Sequence, residues 1–537
     1  MKLKVLFYLF TYLSVFFTYS QDWKTYPYTP SGSLISFPED EGRHTSEPTE
    51  WWYTTGHVTG NTTGNNYSYM LSYFYNPKFG YDGFRIFNIT KDETGEKFFE
   101  TKVIKYDILA TDSVHIKVSD LTPGKNEIWK NKSDLQDQII PFEYMISASS
   151  ANAGIDLEYK TVKRPLIIGD TGKFDQGISN YTYYYSQTMN EVKGTVTFNG
   201  ITEDVTGTSW IDRQYGTFNP NTGEKYEWFS IQLSNNMDLN LWNLFTDDYS
   251  IPDDKRYRIL SVYVDENTQY TTKDFNIERL KYKFTDDGEM CYSQKWRLTS
   301  SRNNIDLTLT VLHSDSEVLL PFRFYEGSII ISGTVNGRQV TGQGFSELLH
   351  SYEKPDISIT HPVEGTFYSS EKITWTVNNP DDGNPLQFDV AYSIDNKQSF
   401  KTIAEKITET EYLWEDPDIA TGEEIWFRIT AYSSDKTLIN NVISTSSSYF
   451  TLPVELFNEN NIVLYPNPVS KEITIDLNHK IADYSYQIFD SNSKMILKRT
   501  SQKKSLLKID IRSFTPGLYF IKLYGNNKTM YSKFLVR

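Results

Sequence analysis

The chain has 537 residues, of which 38% are hydrophobic and 15% aromatic, a length that suits about three to four domains of roughly 100–200 residues each. A formal charge of −16 excludes nucleic-acid or anionic-membrane binding as the main role. The single cysteine, Cys291, excludes both an intramolecular disulfide and a zinc site built on several cysteines.

The N-terminus reads Met1-Lys2-Leu3-Lys4, then an apolar run from Val5 to Phe17 and small residues at Thr18 and Ser20. This pattern predicts a secretory signal peptide over 1–20, cleaved near Gln21 and too short for a comfortable membrane span. No later segment reaches spanning length, so no transmembrane segment is expected in the mature protein. Past this point Tyr, Phe, Trp, Thr, Val and Ile fall in short runs between Gly, Asn, Asp and Ser clusters. That is β-sheet composition, and the fold class is all-β.

The first block, 21–210, opens on Phe37-Pro38-Glu39-Asp40-Glu41-Gly42-Arg43-His44 and Glu50-Trp51-Trp52-Tyr53-Thr54-Thr55-Gly56-His57-Val58. The period of two in a strand puts Glu50, Trp52, Thr54, Gly56 and Val58 on one face, which reads as packing. Trp51, Tyr53, Thr55 and His57 take the other, which reads as the wall of a ligand cavity. The block closes on two runs joined at Asn199-Gly200, followed by Trp210. The second block, 211–352, repeats the plan: Glu227-Trp228-Phe229-Ser230-Ile231-Gln232-Leu233 near its start, and runs joined at Asn336-Gly337 near its end. Each Asn-Gly reads as a hairpin turn, and the similar openings and endings predict an internal duplication. Each unit is the right size for an antiparallel barrel that holds one small ligand. Between them lies Trp210-Ile211-Asp212-Arg213-Gln214-Tyr215, whose counterpart is Phe345-Ser346-Glu347. A carboxylate follows an aromatic by two residues in both copies.

Residues 353–455 carry alternating runs such as Ile373–Val377 and Ile425–Tyr432, with a turn at Pro380-Asp381-Asp382-Gly383. They resemble a fibronectin type III or immunoglobulin-like sandwich, and a spacer role is expected. The last segment, 461–537, has 13 Lys plus Arg against 5 Asp plus Glu, a net +8 that leaves −24 on the rest. Such an asymmetry marks a separate module. Its Tyr465-Pro466-Asn467-Pro468 opening, Gly517-Leu518-Tyr519 strand and terminal Lys533–Arg537 resemble the C-terminal sorting domain of the type IX secretion system of Bacteroidetes. The resemblance implies a small β-sandwich, recognition by the type IX machinery, and release or anchoring at the outer cell surface.

From Phe37 to Glu347 the chain resembles the hydroxyneurosporene synthase-like family, also called the AttH or carotenoid 1,2-hydratase family. Phe37–His44, Glu50–His57, Trp210-Ile211-Asp212-Arg213 and the Gly-rich ending through Glu347 carry the likeness. It implies two consecutive lipocalin-like β-barrels, a hydrophobic isoprenoid or lipid-like ligand, and addition of water to an isolated alkene without a cofactor. Hydro-lyase activity is thus the expected enzyme class, if the protein is an enzyme. Hydrating such an alkene needs an acid kept neutral by burial, aromatic faces for the carbocation, and a placed water with a proton acceptor. Asp212, flanked by Trp210 and Tyr215, suits the donor; Asp212, His57 and Tyr215 are the candidate catalytic residues. Trp51, Tyr53, Trp210, Trp228 and His44 are the candidate ligand-binding residues.

Plainer readings stand beside these. Asp212 and Arg213 form a structural ion pair in one of them; Glu50 bonds backbone or Arg43; His57 is a packed strand histidine; the tryptophans are core. The spacing of His44, Glu50 and His57 matches no standard metal pattern, and no metal is expected. The sequence has no nucleophile elbow, P-loop, dinucleotide fingerprint or His-Glu-x-x-His. The competing function is non-catalytic binding of an apolar ligand, or of a glycan, at the cell surface.

Overall fold

The computed structural model describes residues 22–537 apart from 79, 178, 219–221, 247–256, 321, 370, 380–383, 416, 452–461, 478–482, 504–505 and 526–527. The expected signal peptide lies outside the described residues. The chain forms two compact units: one holds the residues up to Ser351 except Leu280–Tyr282, the other holds those three and everything from Tyr352. Among the described residues no helix is long and apolar enough to cross a membrane.

Two antiparallel sheets, of 13 and 10 strands, build the first unit. In each, the opening strand pairs with the closing one near the middle of the sheet. Thr49–Gly60 lies against Ile201–Gly216, and Lys225–Leu233 against Arg338–Leu348. The two sheets thus repeat one plan, as the duplicated motifs predict. The first sheet runs past the expected boundary at 210, because 211–216 complete the pairing with Thr49–Thr54.

The closing hairpins turn where the Asn-Gly pairs sit. Asn199 and Gly200 have φ of 51° and 78°, and Asn336 and Gly337 have 49° and 74°. Positive φ at both central residues is the turn whose twist matches that of the flanking strands, and Asn and Gly tolerate it best.

Both sheets curl into half-barrels around their own cores. Trp52, Tyr69, Trp129 and Tyr144 fill the first; Phe229, Trp296, Leu298 and Tyr325 fill the second. Large aromatics at these inward positions pack the interiors that the sequence reading offered to a ligand. A third cluster draws on both sheets, with Tyr53, Met70 and Tyr184 from the first and Trp228, Trp242 and Phe345 from the second. The period-two reading therefore holds: Trp52 and Val58 face the half-barrel core, while Tyr53 faces the second sheet.

One close approach tests this packing. A Cβ at Gly56 would sit 2.5 Å from the ring of its cross-strand partner Tyr69, whose hydroxyl is held 2.6 Å from that of Tyr159. The ring is buried and tethered, so it has no room to move. Gly56→Ala is expected to cost about 1–3 kcal/mol by overpacking, read as a lower urea midpoint.

The second unit contains two small sandwiches. Strands between Ile357 and Thr451 form sheets of three and six strands around Trp375, Phe388, Phe427 and Ile429. Strands between Val463 and Val536 form sheets of three and four around Ile473, Ile488, Ile521 and Phe534. Both agree with the sandwich modules expected there.

Candidate functional site

A cavity of about 790 Å³ lies between the two half-barrels. Trp51, Phe74 and Phe84 line it from the first sheet, Trp228, Trp242 and Tyr226 from the second. Ring pairs build the wall: Phe74 stacks on Phe84 at 4.4 Å, Tyr226 stacks on Trp242 at 4.8 Å, and Tyr53, which also lines the cavity, meets Trp228 edge-on at 5.5 Å. Tyr81, Val103, Leu319 and Phe322 also line it and are exposed to solvent, so the mouth has an apolar lip. A space of this volume, largely aromatic with a few convergent polar groups, is what a small-molecule site looks like.

Asp212 projects into this cavity and is only 3% exposed. Its cross-strand neighbours are Tyr53 on one side and Ser186 on the other. Trp210 Nε1 and Ser186 Oγ donate to Oδ1 at 2.7 and 2.5 Å, and Tyr184 OH donates to Oδ2 at 2.6 Å. The Tyr184 oxygen in turn accepts from Trp228 Nε1 at 2.9 Å and Asn240 Nδ2 at 2.7 Å. Burial pushes the Asp212 carboxyl up to about 7, against the pull of its three hydrogen bonds. Near neutral pH, then, it is an acid that still holds its proton part of the time.

Arg213 does not neutralise it. Adjacent residues in a strand point to opposite faces, and Arg213 turns away to bind Glu50 and to stack over Trp52 at 4.0 Å. The ion-pair reading of Asp212 is therefore corrected, whereas the structural reading of Glu50 stands: Arg43 binds it as well.

Two further carboxyls lie close by. Glu347 lines the cavity, across the strand pair from Trp228 and from Glu326. Tyr226 OH donates to Glu347, and Tyr53 OH donates to Glu326 at 2.8 Å. Burial pushes both carboxyls up, and the neighbouring Glu347 charge adds to the rise at Glu326.

Of the residues selected from the sequence, Asp212, Trp51, Tyr53 and Trp228 line the cavity. Trp210 acts from behind, through its bond to Asp212. His57 shares the face of Tyr53 but lies beyond the cavity, its Nε2 2.8 Å from Ser328 Oγ. Desolvation pushes its pKa down to about 4, so it is neutral and engaged. His44 and Tyr215 do not line the cavity. Tyr215 shares the Arg213 face, one residue out of phase with Asp212, and stacks on His44 at 3.6 Å while both bind Asp40. Their place is in the polar cluster around Glu50.

Sequence reasoning missed Tyr184, Ser186, Asn240 and Glu326. Tyr184 and Ser186 share a face by period two, but nothing in the sequence gives their register against Asp212. Glu326 did carry a signal, since a lone carboxylate in an apolar strand, Arg323–Val335, calls for a partner or a task.

The AttH-like family profile matches residues 28–352. The chain belongs to the AttH-like family. A secretion system C-terminal sorting domain profile matches residues 463–537, and this tail directs the protein through the type IX system to the cell surface or beyond. Among solved structures, an AttH protein from Nitrosomonas europaea is 19% identical with a TM-score of 0.50, covering 60% of this chain and 98% of its own. Kievitone hydratase from Nectria haematococca is 19% identical with a TM-score of 0.49, covering 61% of this chain and 99% of its own. At 19% identity the likeness to the Nitrosomonas europaea protein speaks for the fold alone. No match is found among curated proteins.

Proposed function

We propose that this secreted AttH-like protein adds water to an alkene of an isoprenoid or lipid-like ligand held between its half-barrels, without a cofactor. The observation that carries the reading is Asp212: a buried carboxyl with a pKa pushed up to about 7, facing an aromatic cavity and, among the described residues, without an ion-pair partner. Protonating an unactivated alkene needs such a neutral acid. The tertiary carbocation that follows gains from the π faces of Trp51, Trp228 and Trp242. Tyr184 and Ser186 aim the carboxyl. We also read residues 1–20 as the signal peptide that starts export.

The test is mass spectrometry of organic extracts of the purified full-length chain beside Asp212→Asn. The expected result is a product in the wild type that is heavier, by one water, than the alkene retained by the variant. The same unmodified lipid in both would make the protein a carrier, a role that the exposed apolar lip also suits. Empty protein in both would turn attention to glycans.

A further inference from the structure

The geometry points to Glu347 as the catalytic residue that takes the proton from the attacking water, with Glu326 as the positioning residue behind it. The inference rests on the hydration reading above, which names an acid but no base.

Three observations carry it. Glu326 and Glu347 are cross-strand partners on one face of the second sheet, so their carboxyls lie side by side. Glu326 is 2% exposed, whereas Glu347 opens onto the cavity; the pair therefore has an inner and an outer member. Among the described residues neither carboxyl has a Lys, Arg or His ion-pair partner, and the donors around them are Tyr53 and Tyr226. Two adjacent buried carboxyls without a cation hold one proton between them. Glu326, in the more enclosed place, keeps that proton and donates it to Glu347. Glu347 is thereby left as a carboxylate facing the cavity, and its charge helps keep Asp212 protonated.

The chemistry balances with these groups alone. The alkene π pair takes the Asp212 proton, forming a C–H bond and leaving a carbocation and an Asp212 carboxylate. A water lone pair forms the C–O bond. One water O–H bond then breaks, its electrons staying on oxygen and its proton passing to Glu347. The product gains H and OH, and the proton returns from Glu347 to Asp212 before the next turnover.

The test uses the full-length protein and farnesol, an acyclic isoprenoid alkene, in deuterium oxide. The wild type is expected to give hydrate carrying carbon-bound deuterium. Glu347→Gln is expected to lose about 10²–10⁴-fold in hydrate, yet to return deuterated, double-bond-shifted alkene, because a cation without a base-activated water loses a proton again. Asp212→Asn is expected to do neither. Glu326→Gln still offers Glu347 a neutral donor, so it should keep the wild-type ratio of hydrate to exchanged alkene, whereas Glu326→Leu should behave like Glu347→Gln. A merely structural role would lower both products together and leave that ratio unmoved. Wild-type hydration by Glu347→Gln, or an unmoved ratio in Glu326→Leu, would overturn the assignment while sparing the hydration reading. If the wild type neither hydrates nor exchanges farnesol, that reading falls and the assignment with it.

Discussion

Above about pH 7, Asp212→Asn is expected to be more stable than the wild type by about 4 kcal/mol, and below about pH 4 the advantage should vanish. The sign follows from where the proton sits. The folded protein raises the Asp212 pKa from 3.8 to about 7, so folding favours the protonated form. Stability from that group is fully present below the unfolded value and is lost as the pH rises through the folded one. The gap converts to about 4 kcal/mol, and burial leaves little solvent screening to discount. Asparagine keeps the shape, and its oxygen still accepts from Ser186 and Trp210, but it has no proton to lose. Hydrogen exchange in the strand Ile201–Gly216 reads the effect where it arises. Protection should be about a thousand-fold greater in the variant at high pH and equal at low pH. Equal protection at both would mean that the carboxyl is not strained and would remove the case for it as an acid.

This stability cost gives the carboxyl a meaning. A protein that only needed a polar anchor here would gain by using asparagine. Keeping an uncompensated acid against an aromatic wall fits a site that trades stability for chemistry. The same logic applies to Glu347 in the cavity wall and Glu326 behind it, which among the described residues have tyrosine donors but no cation beside them.

The sequence made some of this legible and hid the rest for a physical reason. Period-two alternation told which residues of Glu50–Val58 face together, so Trp51 and Tyr53 were found as cavity wall. The Asn-Gly pairs located both closing hairpins because few residues accept that backbone. Tyr215, three residues from Asp212, falls on the opposite face by the same alternation, because one unbroken strand, Ile201–Gly216, carries both. What alternation cannot give is register between distant strands. Tyr184 lies 28 positions away and is brought beside Asp212 by pairing of Tyr181–Phe198 with Ile201–Gly216. The volume inside each half-barrel was equally hidden, because it depends on which aromatics point inward together.

Arg213 carries the largest structural stake on the other face of that strand, and Arg213→Met is expected to cost about 3–5 kcal/mol at neutral pH. Its guanidinium binds the fully buried Glu50 and the Gly42 carbonyl, donates to the Gln214 carbonyl at 2.9 Å, and covers the Trp52 ring. Removing it leaves Glu50 buried with Arg43 and His44 as its remaining partners. Lysine should restore only part of the loss, since one ammonium lacks the planar fork that reaches carboxylate and carbonyl at once. The pH dependence identifies the cause. Burial alone would raise Glu50, but Arg213 and His44 outweigh it and hold its pKa below the usual 4.5; that stability is lost as the pH falls through the lowered value. Burial would lower His44, but its bonds to Asp40 and Glu50 outweigh that and raise it above 6.5; that stability is lost as the pH rises through the raised value. The wild-type network is therefore strongest between about pH 4.5 and 6.5. In Arg213→Met the penalty is the stranded Glu50 charge, so the gap to wild type should narrow as acid protonates Glu50. A gap that stays constant down to pH 3 in urea unfolding would instead assign the loss to packing on Trp52.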